Sequence, residues 1–258
     1  MSSWEALDRE LDGWAAAGRV ATFWWRDDDA VAPTGQLNRL LATLDHAANQ
    51  GAPICLAVIP AQVRPELASA LMGRETVRVL QHGYAHLNHA PAGQKKAELG
   101  TDRPAGDVLT ELRIGREHLA GMFGPAALPV LVPPWNRIAP AIAAALPAIG
   151  LRYLSTYGPR PPARQGAEIR RLNTHIDIMD WHAGRRFVGE AMALQLAVGH
   201  LAVRRRGDND PDEPTGLLTH HLVHDEAAWR FVGAFLNRTL VHRAARWLNG
   251  AEIFPDLR

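Results

Sequence analysis

Three consecutive carboxylates, Asp27-Asp28-Asp29, end the apolar and aromatic run Phe23-Trp24-Trp25. Adjacent anions at the end of a buried strand repel one another and are costly to desolvate unless a cation or a shared proton compensates them. The complement lies in two histidine clusters, His82-Gly83-Tyr84-Ala85-His86-Leu87-Asn88-His89 and His220-His221-Leu222-Val223-His224, each following or ending an apolar run. One carboxylate and two imidazoles make a ligand set for a catalytic divalent metal that leaves positions open for water and substrate. Asp29, His82 and His86 would supply it, with Gly83 favouring a loop over a continuous helix between the two rings. A metal beside Asp28 and His220 makes hydrolysis the natural chemistry: the cation polarises a carbonyl and acidifies a water, a carboxylate takes a proton, and an imidazole protonates the leaving group. His221 and His224 compete with His220 for that last role. Neighbours on a strand face opposite sides, so His220 and His221 do not both face the site, and periodicity leaves open which one does. The isolated His46, His118, His175, His200 and His242 read as ordinary structural or surface histidines.

The elements that must position these groups alternate. Trp4, Leu7, Leu11 and Trp14 recur at helical spacing before Gly18, which predicts an amphipathic helix within residues 1–18 leading into a strand from Val20 to Trp25. Thr34 is placed to cap a helix carrying Leu37, Leu40, Leu41 and Leu44, and Gly51-Ala52-Pro53 breaks it ahead of a buried strand, Ile54 to Ile59. Further strands are expected over Val77 to Leu80, Leu128 to Val132, Leu151 to Leu154, Ile176 to Met179 and Leu217 to His221. Helices are expected after Pro65, from an Asp107 cap, and over Ala139 to Leu146, Glu190 to Val203 and Ala227 to Leu240. Asn88 to Gly106 and the Pro-rich Gly158 to Gly166 read as loops. Strands alternating with helices imply an α/β fold with a parallel sheet, closed or distorted as a (β/α) barrel, in one catalytic domain over residues 1–258. The clusters Asp27 to Asp29, His82 to His89, Pro133 to Asn136, Asp180 to His182 and His220 to Asp225 all fall at or beyond strand ends, where active groups of such folds collect.

Bulk properties narrow the partners. In 258 residues the formal net charge is +1, with 21% charged and 47% hydrophobic residues, so no broad field attracts nucleic acid or an anionic membrane. The Arg204-Arg205-Arg206 run reads as a solvated helix end. Cys55 is alone within Ile54 to Ile59, a small buried hydrophobe rather than a nucleophile or bridge. No basic region followed by an apolar stretch opens the chain and no segment approaches a membrane span, so a cytoplasmic protein is the expectation. Serine-triad chemistry lacks its Gly-x-Ser-x-Gly elbow, and no GxGxxG follows the first strand.

In motif order over residues 20 to 225, the chain resembles the polysaccharide deacetylase family of carbohydrate esterases. That family's strand ending Thr-Phe-Asp-Asp-Gly is similar to Arg26-Asp27-Asp28-Asp29-Ala30, which implies Asp28 as general base and Asp29 as metal ligand, or, shifted by one residue, Asp27 and Asp28. Its His-(Ser/Thr)-x-x-His motif resembles His82-Gly83-Tyr84-Ala85-His86. Its Arg-x-Pro-Tyr motif is represented by Val132-Pro133-Pro134-Trp135 without the arginine that would orient the base, leaving Arg26 or Arg137 as substitutes. Asp180-Trp181 resembles the motif in which an aspartate tunes the catalytic histidine and a tryptophan lines the acyl pocket, and Leu218-Thr219-His220 resembles Leu-x-His, which favours His220 as the acid.

The resemblance implies a deformed (β/α) barrel and a divalent metal, zinc being the expected ion. It also implies Asp28, His220 and Asp180 as catalytic residues, with substrate contacts from Pro134, Trp135, Asn136 and Trp181, although the two tryptophans read equally well as core aromatics. The implied reaction is removal of an acyl group, an acetyl group first of all, from an N-acylated amino sugar or glycan. The alternatives are a metal-dependent amidohydrolase acting on a small cytoplasmic amide and a non-catalytic carbohydrate-binding relative.

Overall fold

The computed structural model describes residues 3–46, 52–160, 169–182 and 184–254. Helix α1 (Trp4–Ala16) starts at Ser3, whose Oγ accepts the Ala6 N–H, and buries Leu7, Leu11 and Trp14. Strand β1 (Ala21–Ala30) follows, then α2 (Gly35–His46), whose Leu37 N–H is accepted by Thr34 Oγ1 as the sequence implies. Strand β2 (Ile54–Val58), helix α3 (Pro65–Leu71), strand β3 (Val77–His82) and helix α4 (Ala105–Phe123) continue the alternation. Strand β4 (Ala127–Val132), helix α5 (Pro140–Ala145) and the short strands β5 (Tyr153–Leu154), β6 (Arg170–Arg171) and β7 (Ile176–Asp177) come next. A hairpin of β8 (Met179–Asp180) and β9 (Arg186–Phe187) precedes α6 (Glu190–Arg206), β10 (Thr215–Thr219), α7 (Glu226–Val241), β11 (Ala245–Trp247) and α8 (Gly250–Ile253).

The strands pair in the order β6-β5-β4-β3-β2-β1-β10-β7, all in parallel, and the sheet curls into a deformed (β/α) barrel with helices outside. β11 lies alongside the first half of β1, pairing Ala21 to Phe23, while β2 takes up the second half from Arg26 onward. Because every strand of this sheet runs the same way, the loops after the strand ends gather at one rim. None of the described helices is long and apolar enough to cross a membrane.

Several boundaries differ from the sequence expectation for local reasons. β1 runs on through the carboxylates to Ala30 with a register irregularity between Asp27 and Ala30, where Asp29 adopts φ 71°. The strand expected over Ile176 to Met179 splits, because Asp177 Oδ1 accepts the Met179 N–H and turns the chain into the antiparallel hairpin. β10 ends at Thr219, so His220 and His221 lie beyond the ladder, His221 within a short 3-10 turn. α4 begins at Ala105 after Pro104, which places Asp107 inside the first turn rather than at the cap. Gly51 and much of the loop expected over Gly158 to Gly166 lie outside the described residues.

Gly216 in β10 leaves no room for a side chain. A Cβ there would lie 2.4 Å from Trp24 Nε1 and 2.7 Å from the Asn173 carbonyl oxygen, the donor and acceptor of a buried hydrogen bond. Gly216→Ala is expected to lower unfolding stability in urea by about 3 kcal/mol. Gly199→Ala, on α6 with open space around the new methyl group, is expected to raise it by about 0.5 kcal/mol.

Candidate metal and acid–base site

The three aspartates of β1 do three different things. Arg26 and Asp28 share one face of the strand and Asp27 takes the other. Arg26 is fully buried, and its Nε and Nη2 donate to the two Asp28 oxygens at 2.9 and 3.0 Å. Its other N–H groups reach Asn136 Oδ1 and Ser155 Oγ, at 3.0 and 2.8 Å, with a longer bond to the Thr156 carbonyl. A guanidinium satisfied this way cannot swing, so it fixes the plane of the carboxylate it grips. Of the two arginines weighed, Arg26 grips Asp28, whereas Arg137 donates to the Lys96 carbonyl in the rim loop.

Asp27 is buried on the opposite face. Its oxygens accept from Thr219 Oγ1 at 2.6 Å, the His221 N–H at 3.0 Å and His221 Nδ1 at 2.5 Å. Burial opposes ionisation of both partners, but their attraction wins, lowering the Asp27 pKa and raising that of His221. That arrangement consumes both Asp27 and His221 in a structural pair.

Asp29, at the strand irregularity, turns its carboxylate to the rim. Nε2 of His82 and Nε2 of His86 approach its Oδ1 to 3.2 and 3.4 Å, an oxygen that is buried without a hydrogen-bond partner. His82 Nδ1 faces the Val132 carbonyl at 3.0 Å. It must donate there, which leaves the neutral ring's lone pair on Nε2, the tautomer a metal ligand needs. Burial raises the cost of charge on Asp29, but the imidazoles of His82, His220 and His86 around it hold it ionised, well below the usual carboxylate range. His86 is pushed down chiefly by burial, which favours its neutral form. Asp29 and His86, with φ 71° and 57°, both sit in the left-handed region. That costs of order 1 kcal/mol or more each and persists only where surroundings enforce it. The donor set fits a divalent cation.

His220 completes the site, with Nε2 3.9 Å from Asp28 Oδ2 and Nδ1 buried without a hydrogen-bond partner. The Trp181 ring meets the imidazole edge-on at 4.5 Å, and its Nε1 donates to Asp177 Oδ2 at 2.9 Å. Burial raises the Asp177 pKa, partly offset by the neighbouring His220 imidazole. Asp180, expected beside His220, lies in the hairpin, where its Oδ1 accepts the His182 N–H. His224 Nε2 accepts the His220 N–H, and burial pushes its pKa down to about 4, which makes it a neutral prop.

Trp135 is half-buried against the His86 ring at 4.6 Å, and Trp181 is 40% exposed, so both tryptophans border the site rather than fill the core. Asn136 is committed to Arg26. Pro134, expected to face substrate, is buried beneath the His82–His86 turn, where a Cβ on Gly83 would come within 2.6 Å of its ring.

A second cluster, His175, His200 and Glu213, sits at the opposite rim, beside Thr215 at the start of β10. Its polarity is different. His175 Nδ1 accepts the Gly216 N–H at 3.0 Å, so its proton is on Nε2, 3.4 Å from Glu213 Oε1. No lone pair is left there for a metal. Burial pushes His200 down to about 2, and its Nδ1 is bonded to Thr215. These are neutral core histidines beside the buried Arg204, as their isolation in sequence implies.

No protein-family model and no curated protein matches the chain. Solved structures do. A protein from Mycobacterium smegmatis assigned as a polysaccharide deacetylase aligns over 93% of this chain and 91% of its own, with TM-score 0.65 and 17% identity. The chitin deacetylase of Colletotrichum lindemuthianum covers 89% of this chain and 86% of its own at TM-score 0.51 and 13% identity. A 4-alpha-glucanotransferase from Thermococcus litoralis covers 93% of this chain with 41% of its own, at TM-score 0.56 and 11% identity, so the same barrel carries other carbohydrate chemistry. The chain has the deformed (β/α) barrel fold of the polysaccharide deacetylases.

Proposed function

We propose that this protein is a metal-dependent hydrolase that removes an acyl group, most simply acetyl, from the nitrogen of an N-acylated amino sugar or glycan. The observation that carries this reading is one carboxylate, Asp28, held by Arg26 and set 3.9 Å from His220 Nε2 beside the convergent Asp29, His82 and His86. The deacetylase neighbours support it through the shared fold.

A divalent ion held by Asp29, His82 and His86 would supply Lewis acidity toward the amide carbonyl and a nearby water. Asp28 accepts the proton of the attacking water, and Arg26 holds its carboxylate in plane. His220, its ring packed edge-on against Trp181, donates a proton to the departing amine nitrogen. Trp135 and Trp181 flank the approach, and flat aromatic faces suit the apolar face of a sugar ring or an acyl methyl group.

The test is metal content combined with acetate release over acetylated sugars, glycan oligomers and small amides. Stoichiometric zinc and release from amino sugars are expected; release from small amides alone would replace the glycan with a low-molecular-weight substrate. His82→Ala is expected to lose bound metal, and equal stoichiometry in both proteins would sink the site. Asp28→Asn should cut turnover about a thousandfold while metal content and circular dichroism stay unchanged. Arg26→Lys keeps the charge but loses the two-point grip, and a drop in kcat of about a hundredfold at constant metal content is expected from the misaligned base.

The two adjacent histidines should separate cleanly. His220→Ala is expected to abolish turnover with little change in unfolding stability. His221→Ala is expected to cost about 3 kcal/mol or more, because it strands the buried Asp27 charge. The reverse pattern in urea titrations and kcat would exchange their roles.

A further inference from the structure

The turn that presents His86 is held from outside by Glu98. Glu98 belongs to the loop between β3 and α4 yet is 1% exposed, and its Oε2 and Oε1 accept the consecutive N–H groups of Tyr84 and Ala85 at 3.1 and 2.7 Å. The remaining backbone groups of the turn are engaged as well. Gly83 N–H goes to the Val132 carbonyl and Gly83 carbonyl receives Gln81 Nε2, while the Tyr84 and Ala85 carbonyls receive the Ala61 N–H and Gln62 Nε2. Among these partners only Glu98 carries a charge.

Gly83 makes room for it. A Cβ at this position, which has φ 56°, would come 1.9 Å from Glu98 Oε2, so the carboxylate occupies the space a side chain in the turn would fill. Glu98 is anchored in turn: Ala97 pairs with His89 and Asn88 through its carbonyl and N–H, and Leu99 bridges to Ile138 and accepts the Ala139 N–H. Immediately after the clamped amides comes His86, in the left-handed conformation that brings Nε2 to 3.4 Å from Asp29.

We propose that Glu98 is a positioning residue for the metal centre: its carboxylate clamps the Tyr84 and Ala85 amides over the glycine at 83 and so holds His86 in its strained ligand conformation. This rests on the reading of Asp29, His82 and His86 as metal ligands. It makes the rim loop part of the metal centre, with the charge of Glu98 offset by the positive ends of two peptide dipoles.

The experiment uses the full chain in three measurements on wild type, Glu98→Ala and Glu98→Gln. These are amide hydrogen exchange of the metal-free protein, zinc affinity by competition with a chromophoric chelator, and the same affinity in a His86→Ala background. Glu98→Ala is expected to speed exchange at Tyr84 and Ala85 and to weaken zinc binding about tenfold or more. Glu98→Gln keeps one acceptor oxygen, so it should fall between, and it carries the test if the alanine variant does not fold. In the His86→Ala background the Glu98 substitution should add little, since a clamp acting through His86 has nothing left to position. Unchanged exchange at the two amides, wild-type zinc affinity, or an equal loss with and without His86 would each overturn the inference. Absence of zinc binding by the wild type would instead overturn the metal reading itself, and the inference with it.

Discussion

Compensation of charge along a single buried strand governs the rest of this molecule. Arg26, Asp27, Asp28 and Asp29 follow one another at the end of β1, the first three almost wholly out of water. Each carboxylate has its own partner: Arg26 on the same face of β1 for Asp28, the Thr219–His221 segment at the end of the neighbouring strand for Asp27, and the His82–His86 turn from two strands away for Asp29. The pleat separates Asp27 from its neighbours, and the strand irregularity separates Asp29. Four charged residues thus become a two-point ion pair, a sealed structural pair and a rim-facing carboxylate beside two imidazoles.

The two histidine-and-carboxylate clusters show why composition alone does not define a metal centre. Both gather two imidazoles and one acid. At the carboxyl rim, His82 gives its Nδ1 proton to a carbonyl and keeps the distal lone pair free; at the amino rim, His175 receives a backbone N–H on Nδ1 and has none to offer. A single hydrogen bond on the far side of the ring decides which cluster can act as a ligand set.

Much of the fold and the outline of the site are legible in the sequence because the relevant signals are local. Alternating buried strands and amphipathic helices mark a parallel α/β sheet, and polar residues beyond strand ends mark the active rim. What is not legible depends on geometry that local pattern does not carry. The arginine gripping Asp28 lies two residues before it, on the same strand face, and only the Arg26–Asp28 contact distinguishes it from Arg137. The strand expected over Ile176 to Met179 breaks into a hairpin after Asp177, a turn set by a side chain capping a backbone N–H. Glu98 is hidden in a stretch whose Gly, Pro and Lys content reads as a solvated loop, and only its burial reveals what it does.

The pairing partners of β1 also set the order in which the molecule can assemble. This strand lies near the start of the chain, but its neighbours β10 and β11 come near the end, and the Asp27–His221 bond spans 194 positions. On a ribosome, residues 21–30 emerge long before the strands that cover them, with an aromatic run and three acids awaiting partners. Closing such distant contacts is slow, and exposed strand edges in the interval are prone to mispairing. Strand β1 is therefore completed only by its late partners although it is made first, so a copy truncated before them retains an uncovered β1 and an Asp27 without His221.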